Sequence, residues 1–165
     1  MNIFRSGPFQ IYLDQASIEY TQILCFLNVF KWAVFIEYFD REEVVPLLER
    51  WREVLKPSGV MRLAVPNFSK IASLYIKGYE PYGMDDFVGL LYGKMPFGDE
   101  TIYHKTVYDF RSLKSLLEGI GMREVKHYDW KKTEHSEFDD HSQAYLPHMD
   151  KEKGTSMSLN MECIK

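Results

Sequence analysis

The chain has 165 residues, a formal net charge of −4 and 45% hydrophobic residues, enough apolar material for one domain with a real core. The acidic balance, with no run of lysine or arginine, argues against nucleic acid or an anionic membrane as partner, because each needs a basic footprint. Charged content of 27% beside 15% aromatics excludes a disordered composition.

Cys25 and Cys163 stand near opposite ends of the chain. One bridge between them or two free thiols both fit, and the simpler expectation is a reduced, cytoplasmic protein. Met1–Gln10 has no apolar signal region. The most lipid-like stretch, Ile23–Ile36, is broken by Asn28 and Lys31 and falls short of the roughly 20 residues that span a bilayer. No membrane partner is expected.

In chain order, Pro8–Leu13 reads as a short strand, and Asp14 or Ser17 as the cap of a helix running toward Phe30. Short apolar runs of this kind do not separate helix from strand. The apolar run ahead of Glu37 reads as a strand. Asp40-Arg41-Glu42-Glu43 then has the form of a capping box. Val44, Leu47, Leu48, Trp51, Val54 and Leu55 follow at helical spacing, with Pro46 disturbing the first turn. Lys56-Pro57-Ser58-Gly59 stops that helix. Val60–Val65 reads as a strand buried on both faces, closed by Pro66-Asn67. Phe68, Ile71, Leu74 and Tyr75 form the next helical face, ending at Gly78. Asp85-Asp86 opens a shorter helix through Leu91, and Gly93–Asp99 returns to loop. Asp109 caps a helix with Phe110, Leu113, Leu116, Leu117 and Ile120 inward, and Gly121 suits its carboxyl cap. Arg123–Trp130 and Ser156–Lys165 alternate in strand fashion. Strands alternating with helices predict an α/β protein: a mostly parallel sheet with helices on both faces, and a C-terminal antiparallel strand pair at the edge.

Few residues suggest chemistry. His104, in a loop before the Asp109 helix, is the candidate catalytic base near neutral pH, or else a surface histidine. Glu37 either meets a ligand at the end of its strand or satisfies a nearby backbone group. Between Trp130 and Ser156 lie His135, Asp139, Asp140, His141, Gln143, Tyr145 and His148. Of these, His135, Gln143, Tyr145 and His148 are the candidate substrate-binding residues of a lobe over the carboxyl edge of the sheet, the alternative being a solvated loop. No spacing matches a zinc pattern, so no metal site is expected.

Val34-Phe35-Ile36-Glu37-Tyr38-Phe39, the Asp40 helix, Leu55-Lys56-Pro57-Ser58-Gly59 and Val60–Pro66 together resemble the second half of a class I S-adenosylmethionine-dependent methyltransferase. In that family a fourth strand ending in a pattern like HVLEHF leads to a helix, an LKPGG turn and a fifth strand closing in VPD. His104-Lys105-Thr106 through Asp129-Trp130, and Thr133–Asp150, resemble one subgroup of predicted methyltransferases. The resemblance spans about Val34–Lys165. It implies a truncated Rossmann-like methyltransferase fold, with residues 1–33 an atypical N-terminal segment of one domain. It further implies S-adenosylmethionine as cofactor, with Glu37 and Tyr38 at its edge, and a small-molecule or sugar-like methyl acceptor.

The chain departs from the family at telling places. The glycine-rich loop that lets backbone approach the cofactor is absent, since Gly7 is the only glycine before Gly59. Tyr38 stands where the family has histidine, Ser58 where glycine is common, and Asn67 where aspartate is common. The strand that pairs beside the fourth is missing, which leaves an apolar sheet edge. Either the N-terminal segment covers that edge or two copies pair there. A non-catalytic module acting through the open edge, and a methyltransferase site completed across a homodimer, are the alternative readings.

Overall fold

A computed structural model describes residues 29–33, 36–134, 136–137, 141–148 and 150–165. The expected strand at Pro8–Leu13 and most of the helix toward Phe30 lie outside these residues. Where that helix would end, Val29–Ala33 is instead a strand, β1. The strand expected just before Glu37 is thus shifted toward the N-terminus, and Ile36–Tyr38 forms a 3-10 turn, with Phe39 N–H donating to the Ile36 carbonyl.

Helix α1 (Val44–Val54) follows. The capping box is real: Glu43 N–H donates to Asp40 Oδ1 at 2.8 Å and Asp40 N–H to Glu43 Oε2 at 3.0 Å. The turn after α1 is made by Ser58, at φ 62°, with Gly59 N–H closing on the Lys56 carbonyl at 2.9 Å. Strand β2 (Val60–Pro66) comes next. Asn67 caps α2 (Phe68–Ile76), its side chain accepting from Lys70 N–H. Ile71 and Leu74 are buried, whereas Phe68 and Tyr75, expected to share that face, are about half exposed. Helix α3 (Met84–Tyr92) is followed by a small hairpin, β3 (Met95–Phe97) and β4 (Glu100–Ile102), where a plain loop was expected. Helix α4 (Phe110–Gly119) carries the Asp109 cap reciprocated by Ser112, and Gly121 takes φ 84°. Strand β5 (Arg123–His127), the hairpin β6 (Tyr145–Leu146) with β7 (Thr155–Ser156), and β8 (Ser158–Ile164) complete the elements.

The main sheet has the order β1-β2-β8-β5. Only β1 and β2 pair parallel, from Val29↔Val60 to Ala33↔Ala64. Strand β8 runs antiparallel to both β2 and β5, so the expectation of a mostly parallel sheet is corrected while the C-terminal antiparallel pair is present. The reason is the connection. Among its described residues the excursion from β5 to β8 holds only two 3-10 turns and a two-residue hairpin, no crossover helix, and the chain returns antiparallel.

Helices do not cover both faces evenly. Met61, Leu63 and Val65 of β2 and Leu159, Met161 and Cys163 of β8 face one core with Leu48 of α1 and Leu113 and Leu117 of α4. The opposite face of these strands carries Arg62, Asn160 and Glu162 and meets the excursion, where Asn160 Nδ2 donates to the Ser142 carbonyl at 2.8 Å. Strand β2 is therefore covered on both faces, the second carrying buried Ala64 beside the partly buried Arg62. A second core joins α2 and α3 through Ile71, Leu74 and Phe87 to Leu146 and Met157.

Candidate functional site

The parallel β1–α1–β2 unit sends the chain off the carboxyl end of β1 into the 3-10 turn that holds Glu37 and Tyr38. Ligands of open α/β sheets gather at such ends. Glu37 is 1% exposed and Tyr38 6%. The backbone of Glu37 is clamped from across the fold, its carbonyl accepting from Lys105 N–H at 2.7 Å and Thr106 N–H at 3.2 Å. That clamp brings His104 over the turn. His104 Nε2 lies 3.9 Å from Glu37 Oε1, and the imidazole meets the Tyr38 ring edge-on with centroids 4.7 Å apart. Three residues singled out separately in the sequence thus form one cluster.

Its electrostatics are unusual. Neither carboxylate oxygen of Glu37 has a hydrogen-bond partner among the described residues. Burial pushes the Glu37 carboxyl up to about 7, its own backbone N–H pulling weakly the other way. His104 Nδ1 sits 3.0 Å from the Leu91 carbonyl. A carbonyl only accepts, so Nδ1 carries the proton and, in the neutral ring, Nε2 keeps the lone pair. Glu37 and His104 therefore hold a basic nitrogen and a carboxyl group side by side in a dry setting.

Tyr108, which no sequence signal singled out, belongs to the same neighbourhood. It is 5% exposed, and burial followed by the charge of Glu37 pushes its hydroxyl up to about 12, against the opposing pull of Arg41 and the Thr106 side chain. The bridge from Asn67 to Tyr108 ties it to the carboxyl end of β2. Tyr108 also lines a cleft of about 460 Å³ with Arg41 and Val44 of the α1 side and Ser112 and Leu116 of the α4 side. A second cleft, of about 450 Å³, lies along the exposed face of α2. Neither is lined by Glu37, Tyr38 or His104.

The expected substrate residues fall elsewhere. Gln143 is buried and its Oε1 accepts from Lys151 Nζ at 2.6 Å, while Tyr145 Oη accepts from Trp130 Nε1 at 3.2 Å. Lys131 and Lys151 both place their ammonium groups over the Trp130 ring. His148 is exposed in the turn after β6, and His135 lies outside the described residues. These residues form a second cluster on the excursion, where Gln143 and Tyr145 meet structural partners. Among the described residues no group of three or more histidine, cysteine or acidic side chains is placed to hold a metal ion, and no helix is long and apolar enough to cross a membrane.

No family model matches the chain, and no curated protein matches it. One solved structure is similar, a SAM dependent methyltransferase from Archaeoglobus fulgidus, at 18% identity and a TM-score of 0.47. The match covers 90% of this chain and 65% of that one, so the chain spans less than two thirds of its neighbour's length. A likeness of this strength assigns nothing to the chain.

The chemistry of Glu37 fits one part of an adenosyl site. A buried carboxylate whose oxygens lack hydrogen-bond partners among the described residues calls for donors, which ribose hydroxyls or an ammonium group provide. A glycine-rich turn is not among the described residues, as its absence from the sequence requires.

Proposed function

We propose that this chain is an S-adenosylmethionine-dependent methyltransferase-like protein that carries the second half of the cofactor-binding sheet and acts on a small-molecule or sugar-like acceptor. The observation that carries this reading is the buried Glu37 carboxylate, with no hydrogen-bond partner on either oxygen among the described residues and His104 Nε2 at 3.9 Å, just past the carboxyl end of a parallel strand. The sequence resemblance supports it, because the capping box at Asp40 and the Lys56–Gly59 turn sit between two parallel strands as the family pattern requires.

When bound, S-adenosylmethionine supplies a methyl group on a positively charged sulfur. Glu37 and Tyr38 are the residues that would hold it. His104 Nε2 accepts the proton of the attacking hydroxyl or amine, and Glu37 stabilises the imidazolium that results. Nδ1–H stays with the Leu91 carbonyl, which keeps the ring from turning. A reducing, cytoplasmic setting goes with this reading, since Cys163 is a free, buried thiol.

Calorimetric titration with S-adenosylmethionine tests it. Binding tighter than about 0.1 mM, roughly −5.5 kcal/mol, supports a working site. No heat at millimolar ligand sinks the catalytic reading.

A second reading rests on a different observation. Strand β1 is last in the sheet order, an edge among the described residues. Two copies paired there make a homodimer or an interaction module. Light scattering behind gel filtration tests this, and a monomer at every concentration rejects it.

A further inference from the structure

We infer that Gly93, together with the carbonyl end of α3, is a positioning device that seats His104 against Glu37; the inference rests on the proposed role of His104. Three contacts define the seat. His104 N–H donates to the Tyr92 carbonyl at 2.7 Å, and the imidazole Nδ1–H donates to the Leu91 carbonyl at 3.0 Å. The third is steric. The imidazole lies directly over Gly93, and a β-carbon built there would overlap the ring at Nε2, Cε1 and Cδ2.

Gly93 also holds φ 47°, in the left-handed region that favours glycine, while its own N–H closes α3 on the Gly89 carbonyl at 3.0 Å. The residue thus ends the helix and leaves room for the ring in the same place. The last turn of a helix is the negative end of its dipole, so this seat also favours the imidazolium that proton uptake creates. The seat fixes which ring nitrogen carries the proton and turns the other toward Glu37. Gly93 touches no reacting atom; it works through His104.

A control separates the steric contact from backbone strain. Gly98 has a similar left-handed φ of 59°, yet a β-carbon there meets nothing within 4 Å. The experiment compares histidine ¹H–¹⁵N spectra of the full chain with those of Gly93→Ala and Gly98→Ala. In the unaltered chain His104 is expected as the Nδ1–H tautomer with a slowly exchanging ring proton. Gly93→Ala should shift its signals to the mixed tautomers of a solvent-exposed imidazole, and Gly98→Ala should leave them unchanged. Should Gly93→Ala fail to fold, adding His104→Ala to the same chain restores folding by removing the overlapped ring.

The inference is overturned by a proton on Nε2 in the unaltered chain, by Gly93→Ala signals like those of the parent, by equal shifts in both glycine variants, or by a double variant that stays unfolded. Failure to bind S-adenosylmethionine defeats the functional reading alone and leaves the tautomer signature in place.

Discussion

His104 turns Nε2 toward Glu37 Oε1 across 3.9 Å while its other ring nitrogen is tied to the Leu91 carbonyl 3.0 Å away. The longer separation is beyond hydrogen-bond reach. Glu37 therefore receives no hydrogen bond from the imidazole to offset its desolvation, and burial holds its carboxyl up to about 7.

The first consequence is a pH dependence of stability. The Glu37 carboxyl is raised from 4.5 to about 7 in the folded chain. Folding thus favours the protonated form, and that contribution is complete below the unfolded value and lost as pH rises through about 7. A shift of this size corresponds to about 3 kcal/mol. Urea denaturation should show Glu37→Gln gaining on the parent between pH 5 and 8. An unchanged difference across that range rejects the assignment.

His104→Gln should lower methyl transfer by at least about 100-fold, the usual contribution of a general base, with the acceptor affinity little altered. Steady-state rates with the acceptor varied, alongside far-UV circular dichroism, check this. A fall in acceptor affinity with turnover intact would instead mark a binding role.

Ser58→Gly should stabilise the chain. Ser58 holds φ 62°, where a β-carbon costs about 1–2 kcal/mol, part of which glycine returns through greater freedom when unfolded. The net gain expected is about 0.5–1 kcal/mol in denaturant unfolding. A loss would show that the serine side chain contributes more than the strain it imposes.

Two arginines should separate sharply. Arg62, with a side chain 15% exposed, bonds Glu162 at 3.1 Å and Glu134 at 2.9 Å. Arg62→Ala removes both of these pairs from the sheet face, leaving Glu162 with Lys126 Nζ at 3.5 Å, and should cost about 1–2 kcal/mol. Arg50, 64% exposed and paired to Glu53, should cost under about 0.5 kcal/mol on the same change. Equal effects in thermal unfolding would mean that the Arg62 cluster is as solvated as the surface pair.

Local signals in the sequence translated well wherever one residue type has one physical use. The Asp40 and Asp109 caps and the Gly121 stop all follow from side chains or backbone freedom that nothing else at those positions supplies. The order of the longer helices and strands from Asp40 onward follows from apolar spacing in the same way, whereas the two short hairpins left no such signal. Strand direction did not, because β8 has the same alternation whether it runs with β2 or against it. The charge cluster on the second face of β2 was also hidden: Arg62 in an apolar run declares itself only once Glu134 and Glu162 are seen beside it.

The site was half legible. Glu37 and His104 each suggested chemistry alone, but the 66 residues between them give no hint that Lys105 and Thr106 bond the Glu37 carbonyl. Tyr108 was indistinguishable from ten other tyrosines until its hydroxyl proved buried. Gln143 and Tyr145 stayed ambiguous, since polar groups near a ligand and polar groups holding a loop look alike in one dimension.

Among the described residues, strands β2 and β5 meet only through β8, which follows both of them in the sequence. During synthesis both wait with open hydrogen-bonding edges until Ser158–Ile164 leaves the ribosome, and then a single segment closes two ladders at once. Assembly of this sheet is thus a late, long-range event, and a chain interrupted before those residues exposes two adhesive strands where the finished molecule has its centre.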